Sequence, residues 1–210
     1  MHVPTIDLKA ACEDELALLS LDAACRDHGF FILTNHGMNT AIDNMWRASR
    51  DFFNYSVDFK RSVSRTAEQP LGYYDRELTK RRRDKKEVFD YMQPRPDGSD
   101  RNQWPGGEEE FRAILEIFFE ETSLVAAATL DLVYRALGTD DADLPKGDPT
   151  TSNVRLNYYP LEDPLEDGVK ETVVGLGDMA LHHHTDPGIL TLLIQDMTGG
   201  LQTLSQDDGW

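Results

Sequence analysis

The residues whose types and spacing most clearly suggest a chemical role are His184 and Asp186, two positions apart in the segment Leu181–Gly188 (LHHHTDPG). On an extended strand, residues i and i+2 point to the same face, so an imidazole nitrogen and a carboxylate oxygen could reach one metal ion. A His-x-Asp pair supplies two ligands of a 2-His-1-carboxylate site, which favours non-haem Fe(II) and leaves coordination positions open. We therefore predict that His184 and Asp186 bind a metal ion.

The spacing alone leaves other interpretations of this segment open. His-x-Asp sequences occur by chance, and the three consecutive histidines could form a solvated loop. His182 lies on the same predicted face as His184, so these two histidines are an alternative pair of ligands, whereas His183 points the other way.

The patterns before residue 139 predict helices and short strands. Apolar residues at helical spacing predict helices at Glu13–His28, from Asn39 onward, and at Glu108–Leu137, the last as a scaffold against a sheet. Alternating residues predict strands at Val3–Leu8, Phe30–Thr34 and Glu87–Tyr91.

Residues 139–150 are polar and rich in Asp, Pro and Gly, and we interpret them as a linker. They separate a mainly helical region, residues 1–138, from a strand-rich region, residues 151–210. The overall class predicted is α+β, with a β-barrel or sandwich in the second region. Its predicted strands are Asn153–Tyr159, Leu176–His183, Ile189–Gln195 and Leu201–Leu204.

Composition limits the classes of function. The net charge of −17 argues against nucleic-acid binding, because binding to phosphates requires a basic surface. One basic run, Lys80–Lys86, holds six of the 21 Lys and Arg residues; we interpret it as a solvated face, with an anionic substrate or partner as the alternative.

The location predicted is cytoplasmic, without a membrane contact. Two cysteines are compatible with a reducing compartment, no run of 18 apolar residues is present, and the first ten residues lack the apolar core of a secretory signal.

Arg155, Asn157 and Tyr159 form a second candidate site, because alternation places them on one face of a predicted strand. A guanidinium, an amide and a phenol together suit an anionic ligand. The alternative is that they satisfy one another or the backbone in the core.

These segments, in their order and spacing, resemble the iron- and 2-oxoglutarate-dependent oxygenases of the isopenicillin N synthase and plant-type dioxygenase class. The resemblance implies a partial double-stranded β-helix (jelly-roll) core with an N-terminal helical region. The segments that carry it are Val3–Leu8, Cys25–Met38, Arg50–Phe53, Leu71–Tyr73, Asp84–Asp90, Arg155–Pro160, His184–Asp186, Thr191–Asp196 and Gly200–Gln202.

The resemblance also implies a function and a set of cofactors. It selects His184 and Asp186 as ligands of Fe(II), and it places Asn157 and Tyr159 near the carboxylate of 2-oxoglutarate, with Arg155 as a third candidate. It implies oxidation of a small molecule with dioxygen and 2-oxoglutarate as cosubstrates, and ascorbate as a further candidate cofactor. It gives His28 and His36 structural roles.

The sequence departs from this family pattern at its end. The family has a second metal-binding histidine and an Arg-x-Ser that grips the far carboxylate of 2-oxoglutarate, but no histidine follows His184 and no arginine follows Arg155. We therefore expect a truncated or partial oxygenase. The alternatives are a non-catalytic remnant and an iron oxidase that does not use 2-oxoglutarate.

Overall fold

The computed structural model describes residues 3–139, 144–148, 150–177, 179–181 and 183–202. Within these residues the chain is α+β. The helices and strands, in chain order, are β1 (Thr5–Asp7), α1 (Leu8–Glu13), α2 (Glu15–Asp27), β2 (Ile32–Thr34), α3 (Asn39–Phe53), α4 (Val57–Arg61), β3 (Gly72–Tyr74), β4 (Leu78–Thr79), β5 (Arg82–Arg83), β6 (Glu87–Met92), α5 (Glu109–Ala136), β7 (Asn153–Tyr158) and α6 (Asp167–Lys170).

Contacts divide the chain into two compact units, each built from separate stretches of sequence. The first unit comprises the described residues of 1–39, 121–147 and 188–210, and the second comprises those of 40–120 and 148–187. The residues of the predicted linker lie partly outside the described residues, at 140–143 and 149. The sequence-based division at 139–150 stays a prediction.

The first unit is a two-stranded parallel sheet, β1 with β2, covered by helices. Its buried core contains Ile6, Leu21 and Leu132, the last contributed by the second half of α5. The prediction of one helix over Glu13–His28 is wrong at its start, because Glu13 ends α1 and α2 begins at Glu15. Asp14 is extended, and its carboxylate accepts from the amide of Leu16 at 3.0 Å, so that α2 begins at a new cap.

The second unit is built on a three-stranded antiparallel sheet in the order β3-β6-β7. β6 is its central strand, and one of its faces carries Phe89 and Tyr91, each at most 1% exposed. The Phe89 ring lies 4.9 Å from that of Phe52 in α3 and 5.3 Å from that of Phe111 in α5. This aromatic cluster packs one face of β6 against α3 and α5. The opposite face of β6 carries Val88 and Asp90.

A buried ion pair lies at the start of β6, on the aromatic face. Lys60 Nζ is 2.5 Å from Glu87 Oε2 and donates to the carbonyl oxygen of Phe53 at 3.0 Å. The Tyr73 hydroxyl donates to the same carboxylate oxygen at 2.6 Å. Burial, together with the hydrogen bond to Glu87, raises the pKa of Tyr73, so the phenol stays protonated and keeps donating.

Of the four strands predicted in the second region, only the first is found among the described residues. β7 confirms Asn153–Tyr159 almost entirely, but the described parts of Leu176–His183 and Ile189–Gln195, and residues 201–202, form no strand. Leu176 makes an isolated bridge with Arg83. A strand requires a hydrogen-bonded neighbour, and among the described residues these apolar runs have no ladder to join.

In the described residues, no helix combines the length and the apolar character that crossing a bilayer demands.

Gly72, in β3, is expected to be intolerant of any side chain. Its φ is +107°, and a Cβ there would lie 2.3 Å from the carbonyl oxygen of Val63. We expect Gly72→Ala to lower the free energy of unfolding by about 2–4 kcal/mol, because backbone strain and a backbone clash add. Urea unfolding measures this.

The matched control is Gly29→Ala. Gly29 also has a positive φ, +68°, but a Cβ there meets no atom within 4 Å. Its cost should be about 1 kcal/mol, from backbone conformation alone. Equal costs at the two glycines would show that the clash in β3 is relieved by a backbone shift.

Candidate metal centre

His184 and Asp186 come together in the structure, as predicted. His184 Nε2 lies 3.2 Å from Asp186 Oδ1, and the two side chains are 44% and 48% exposed. Residues 183–187, which carry them, have no regular secondary structure. The assumption of a strand was therefore wrong, although the two side chains still point to the same place.

The separation of these two atoms fits a shared metal ion. Two ligand atoms that each lie about 2.1 Å from one ion, at right angles, are about 3.0 Å apart. Neutral imidazole nitrogen and carboxylate oxygen are also the donor types of non-haem iron sites. The same separation suits an ion pair when His184 is protonated, and a bound metal ion would replace that proton.

The other histidines of this segment differ in what the structure describes. His182, the alternative partner of His184, lies outside the described residues. His183 contacts the ammonium group of Lys80. Nowhere in the described part of the chain do three or more His, Cys, Asp or Glu side chains form a group that could hold a metal ion.

Arg155 faces the second candidate site but is already paired. It lies opposite Asp90 in the register of β6 and β7. Its Nε and Nη2 donate to the two carboxylate oxygens of Asp90 at 2.7 and 2.8 Å, and its Nη1 lies 3.5 Å from Glu77 Oε2. This bidentate pair is a strong, geometrically specific interaction, and it gives Arg155 a structural role in the sheet.

Asn157 and Tyr159 leave their polar groups more accessible. Asn157 lies opposite Val88 in the β6–β7 register and is exposed, and Tyr159 is 46% exposed just after the end of β7. Burial of the ring, helped by the charge of Asp84 and opposed by that of Arg155, raises the pKa of Tyr159. The phenol is therefore protonated at neutral pH and can donate to an anion.

Arg83 is a buried residue whose role the sequence did not reveal. Lys80, Arg81 and Arg82 are exposed, but Arg83 and Lys86 are only 2% and 3% exposed. The interpretation of the whole basic run as a solvated face is therefore wrong. The guanidinium of Arg83 donates from Nη1 to Asp163 Oδ1 at 2.7 Å and bonds Oδ2 with Nη2.

The pair of Arg83 and Asp163 predicts a specific dependence of stability on pH. The hydrogen bond from Arg83 lowers the pKa of Asp163, outweighing the opposite effect of burial. A carboxyl group whose pKa is lowered in the folded state stabilises the fold above its unfolded pKa, about 4, and this contribution is lost as pH falls further. Asp163→Asn should thus be less stable than the unchanged protein at pH 7, and the difference should shrink below about pH 4.

Urea unfolding at a series of pH values measures that difference. Asp167→Asn is the control, because the Asp167 side chain is 98% exposed and pairs with its near neighbour Lys170 at the surface. A difference for Asp163→Asn that is independent of pH would contradict the prediction.

Family models match both halves of the chain. The model described as "non-haem dioxygenase in morphine synthesis N-terminal" matches residues 3–107, and that of the 2OG-Fe(II) oxygenase superfamily matches residues 150–210. The chain belongs to this oxygenase family. The resemblance inferred from the sequence is thereby confirmed.

Curated members of this oxygenase family align over most of the chain. Flavone synthase of Petroselinum crispum is 30% identical over 192 residues, which cover 89% of this chain and 49% of that enzyme. Jasmonate-induced oxygenase 3 of Arabidopsis thaliana is 28% identical over 99% of this chain and 58% of its own length. The chain thus spans about half the length of the curated relatives it matches.

Solved structures of oxygenases share the fold. The dioxygenase for auxin oxidation in rice superimposes with a TM-score of 0.57 at 22% identity, over 75% of this chain and 52% of that one. JOX2, in complex with 2OG, Fe and JA, has a TM-score of 0.62 at 24% identity, over 76% and 48% of the two chains.

Proposed function

We propose that this protein acts as an Fe(II)- and 2-oxoglutarate-dependent oxygenase on a small molecule. The observation that carries the proposal is the 3.2 Å separation of His184 Nε2 and Asp186 Oδ1, within a region matched by the 2OG-Fe(II) oxygenase model. The finer fold is part of the same proposal: the sheet of β3, β6 and β7 belongs to a jelly-roll core. A cytoplasmic location stays a prediction from the sequence.

The proposed roles follow from the chemistry of each side chain. His184 and Asp186 would hold the iron, and the half-exposed positions of both leave space for further ligands. When bound, iron supplies the centre at which dioxygen and 2-oxoglutarate react, giving succinate, carbon dioxide and a substrate that has gained one oxygen atom.

Tyr159 and Asn157 would orient the anionic cosubstrate. The protonated phenol and the amide NH₂ can each donate a hydrogen bond. Asn157 lies on the face of β7 that also carries Arg155, and Tyr159 directly follows the end of that strand. Since Arg155 is held by Asp90, its charge would act on the cosubstrate from a fixed position rather than by direct pairing.

Turnover of 2-oxoglutarate tests the proposal. With Fe(II), dioxygen and ascorbate, we expect the protein to convert 2-oxoglutarate to succinate, measured by NMR. Tyr159→Phe and Asn157→Ala should each raise the KM for 2-oxoglutarate by about 10-fold or more, because each removes a hydrogen bond to a charged group.

Tyr158→Phe is the matched control for this measurement. Tyr158 is the adjacent residue, and its ring stacks on Phe53 at 5.3 Å, on the other side of the strand. Its loss of a hydroxyl should leave the KM unchanged. Dioxygen consumption without succinate would favour an iron oxidase that does not use 2-oxoglutarate, and an absence of both activities would contradict the proposal.

A further inference from the structure

The hairpin of β4 and β5 contacts the stretch of chain that leads to the metal-binding residues. Arg83, at the end of β5, forms a parallel bridge with Leu176. Its amide donates to the carbonyl oxygen of Gly175 at 3.2 Å, and its carbonyl oxygen accepts from the amide of Gly177 at 2.8 Å. These main-chain bonds attach residues 175–177 to the hairpin, shortly before His184 in sequence.

The side chain of Arg83 adds a second attachment in the same place. Besides its two bonds to Asp163, its Nε donates to the carbonyl oxygen of Val174 at 3.4 Å. The side chain of Arg83 is 2% exposed. A planar group with a fixed fork of donors, buried in this way, restricts the positions of all the groups that it bonds.

The tip of the hairpin reaches the segment at a further point. Lys80 places its ammonium within hydrogen-bonding reach of the His183 imidazole, next to His184. Lys80 and Arg81 have φ values of 51° and 63°. Two-residue hairpin turns of this kind need positive φ at both positions and usually contain Asn or Gly. Two long cationic residues therefore occupy a turn that strains their backbone.

We propose that the β4–β5 hairpin positions the metal-binding segment, with Arg83 as the principal positioning residue and Asp163 as its partner. The inference rests on the proposed function, in which His184 and Asp186 bind the metal. Those two residues lie in a segment without regular secondary structure. Without a helix or a strand to hold the backbone there, contacts of neighbouring residues restrict it, and the hairpin supplies such contacts at 174–177 and at 183.

The decisive variant removes both charges of the buried pair, as Arg83→Met with Asp163→Asn, so that neither partner is left as an unpaired buried charge. Two measurements follow its effect on the segment. One is hydrogen exchange at the Gly177 amide in the metal-free protein, and the other is Mn(II) affinity by EPR in the presence of 2-oxoglutarate. We expect exchange about 10-fold faster and Mn(II) binding about 10-fold weaker, the size typical for groups that orient metal ligands.

The matched control is the double variant Lys60→Met with Glu87→Gln. It also removes a buried ion pair from the second unit, but from the aromatic face of β6. It should alter urea unfolding while leaving Gly177 exchange and Mn(II) affinity within about two-fold of the unchanged protein. Arg83→Lys is the conservative variant, which keeps the charge but not the fork, and we expect an intermediate Mn(II) affinity from it.

The outcomes separate the inference from the function on which it rests. If the unchanged protein binds Mn(II) and both double variants bind it equally well, the positioning role is overturned while the proposed function stands. If the unchanged protein does not bind Mn(II), the proposed function fails and the inference fails with it. If the Arg83→Met/Asp163→Asn protein does not fold, Arg83→Lys decides: Mn(II) affinity equal to that of the unchanged protein overturns the inference.

Discussion

Replacing Asp186 with alanine is expected to weaken metal binding by more than about 100-fold and to abolish the turnover of 2-oxoglutarate. Loss of a group that merely orients a ligand costs about 10–100-fold in affinity, and Asp186 would be a ligand itself. The lost carboxylate is also the only negative charge of the proposed pair, so the remaining imidazole would hold a divalent ion by one neutral nitrogen. Mn(II) titration by EPR and succinate formation with Fe(II) measure the two effects.

Two further variants make this test specific. Asp167→Ala removes a carboxylate from the same unit that is 98% exposed, and it should change neither measurement. Asp186→Asn keeps an oxygen at the site but removes the charge, and it should retain only weak binding. Succinate formation that survives Asp186→Ala would refute the assignment of the ligands.

Replacing Lys60 with methionine is expected to destabilise the second unit by about 3–5 kcal/mol. The change leaves the Glu87 carboxylate buried without its cation, and breaking a buried pair from one side carries a cost of this size. Urea unfolding, followed by the fluorescence of Trp104 in the aromatic cluster, measures the change in the free energy of unfolding.

Variants of Tyr73 and Glu87, which contact Lys60 or share its partner, test whether the unpaired charge of Glu87 causes the loss of stability. Tyr73→Phe removes one hydrogen bond to Glu87 but keeps the ion pair, so its cost should be smaller, roughly 1.5–3 kcal/mol. Adding Glu87→Gln to Lys60→Met should recover part of the stability, because it removes the unpaired charge. A Lys60→Met protein within about 0.5 kcal/mol of the unchanged protein would show that Glu87 finds another partner or a proton.

Strand predictions succeeded where a neighbouring strand exists to complete the ladder. Glu87–Tyr91 and Asn153–Tyr159 were both predicted, and they pair in antiparallel register as β6 and β7. Ile189–Gln195 has an equally strong apolar pattern, yet its residues form no strand in the structure. Periodicity reports which side chains can be buried, but hydrogen bonds to a neighbour decide whether the backbone becomes part of a sheet.

The basic run Lys80–Lys86 shows that local composition cannot predict which charged residues are buried. Lys80–Lys86 has the composition of a solvated face, and its first residues are indeed exposed. Arg83, unlike the exposed Arg82 beside it, is buried against Asp163, 80 residues later in the sequence. No local signal distinguishes these two arginines, because the partner that compensates the buried charge is brought there by the tertiary fold.

The sequence by itself determined the family, the longer helices, and the strands β6 and β7, because these depend on residue types in ordered patterns along the chain. The assignment of His184 and Asp186 as metal ligands stays a prediction from their spacing. The tertiary structure alone decided which charges are buried in pairs and that Arg155 is held by Asp90. It also decided that a hairpin contacts the segment before His184. Such contacts join residues far apart in the chain, and only a folded backbone brings their atoms within hydrogen-bonding distance.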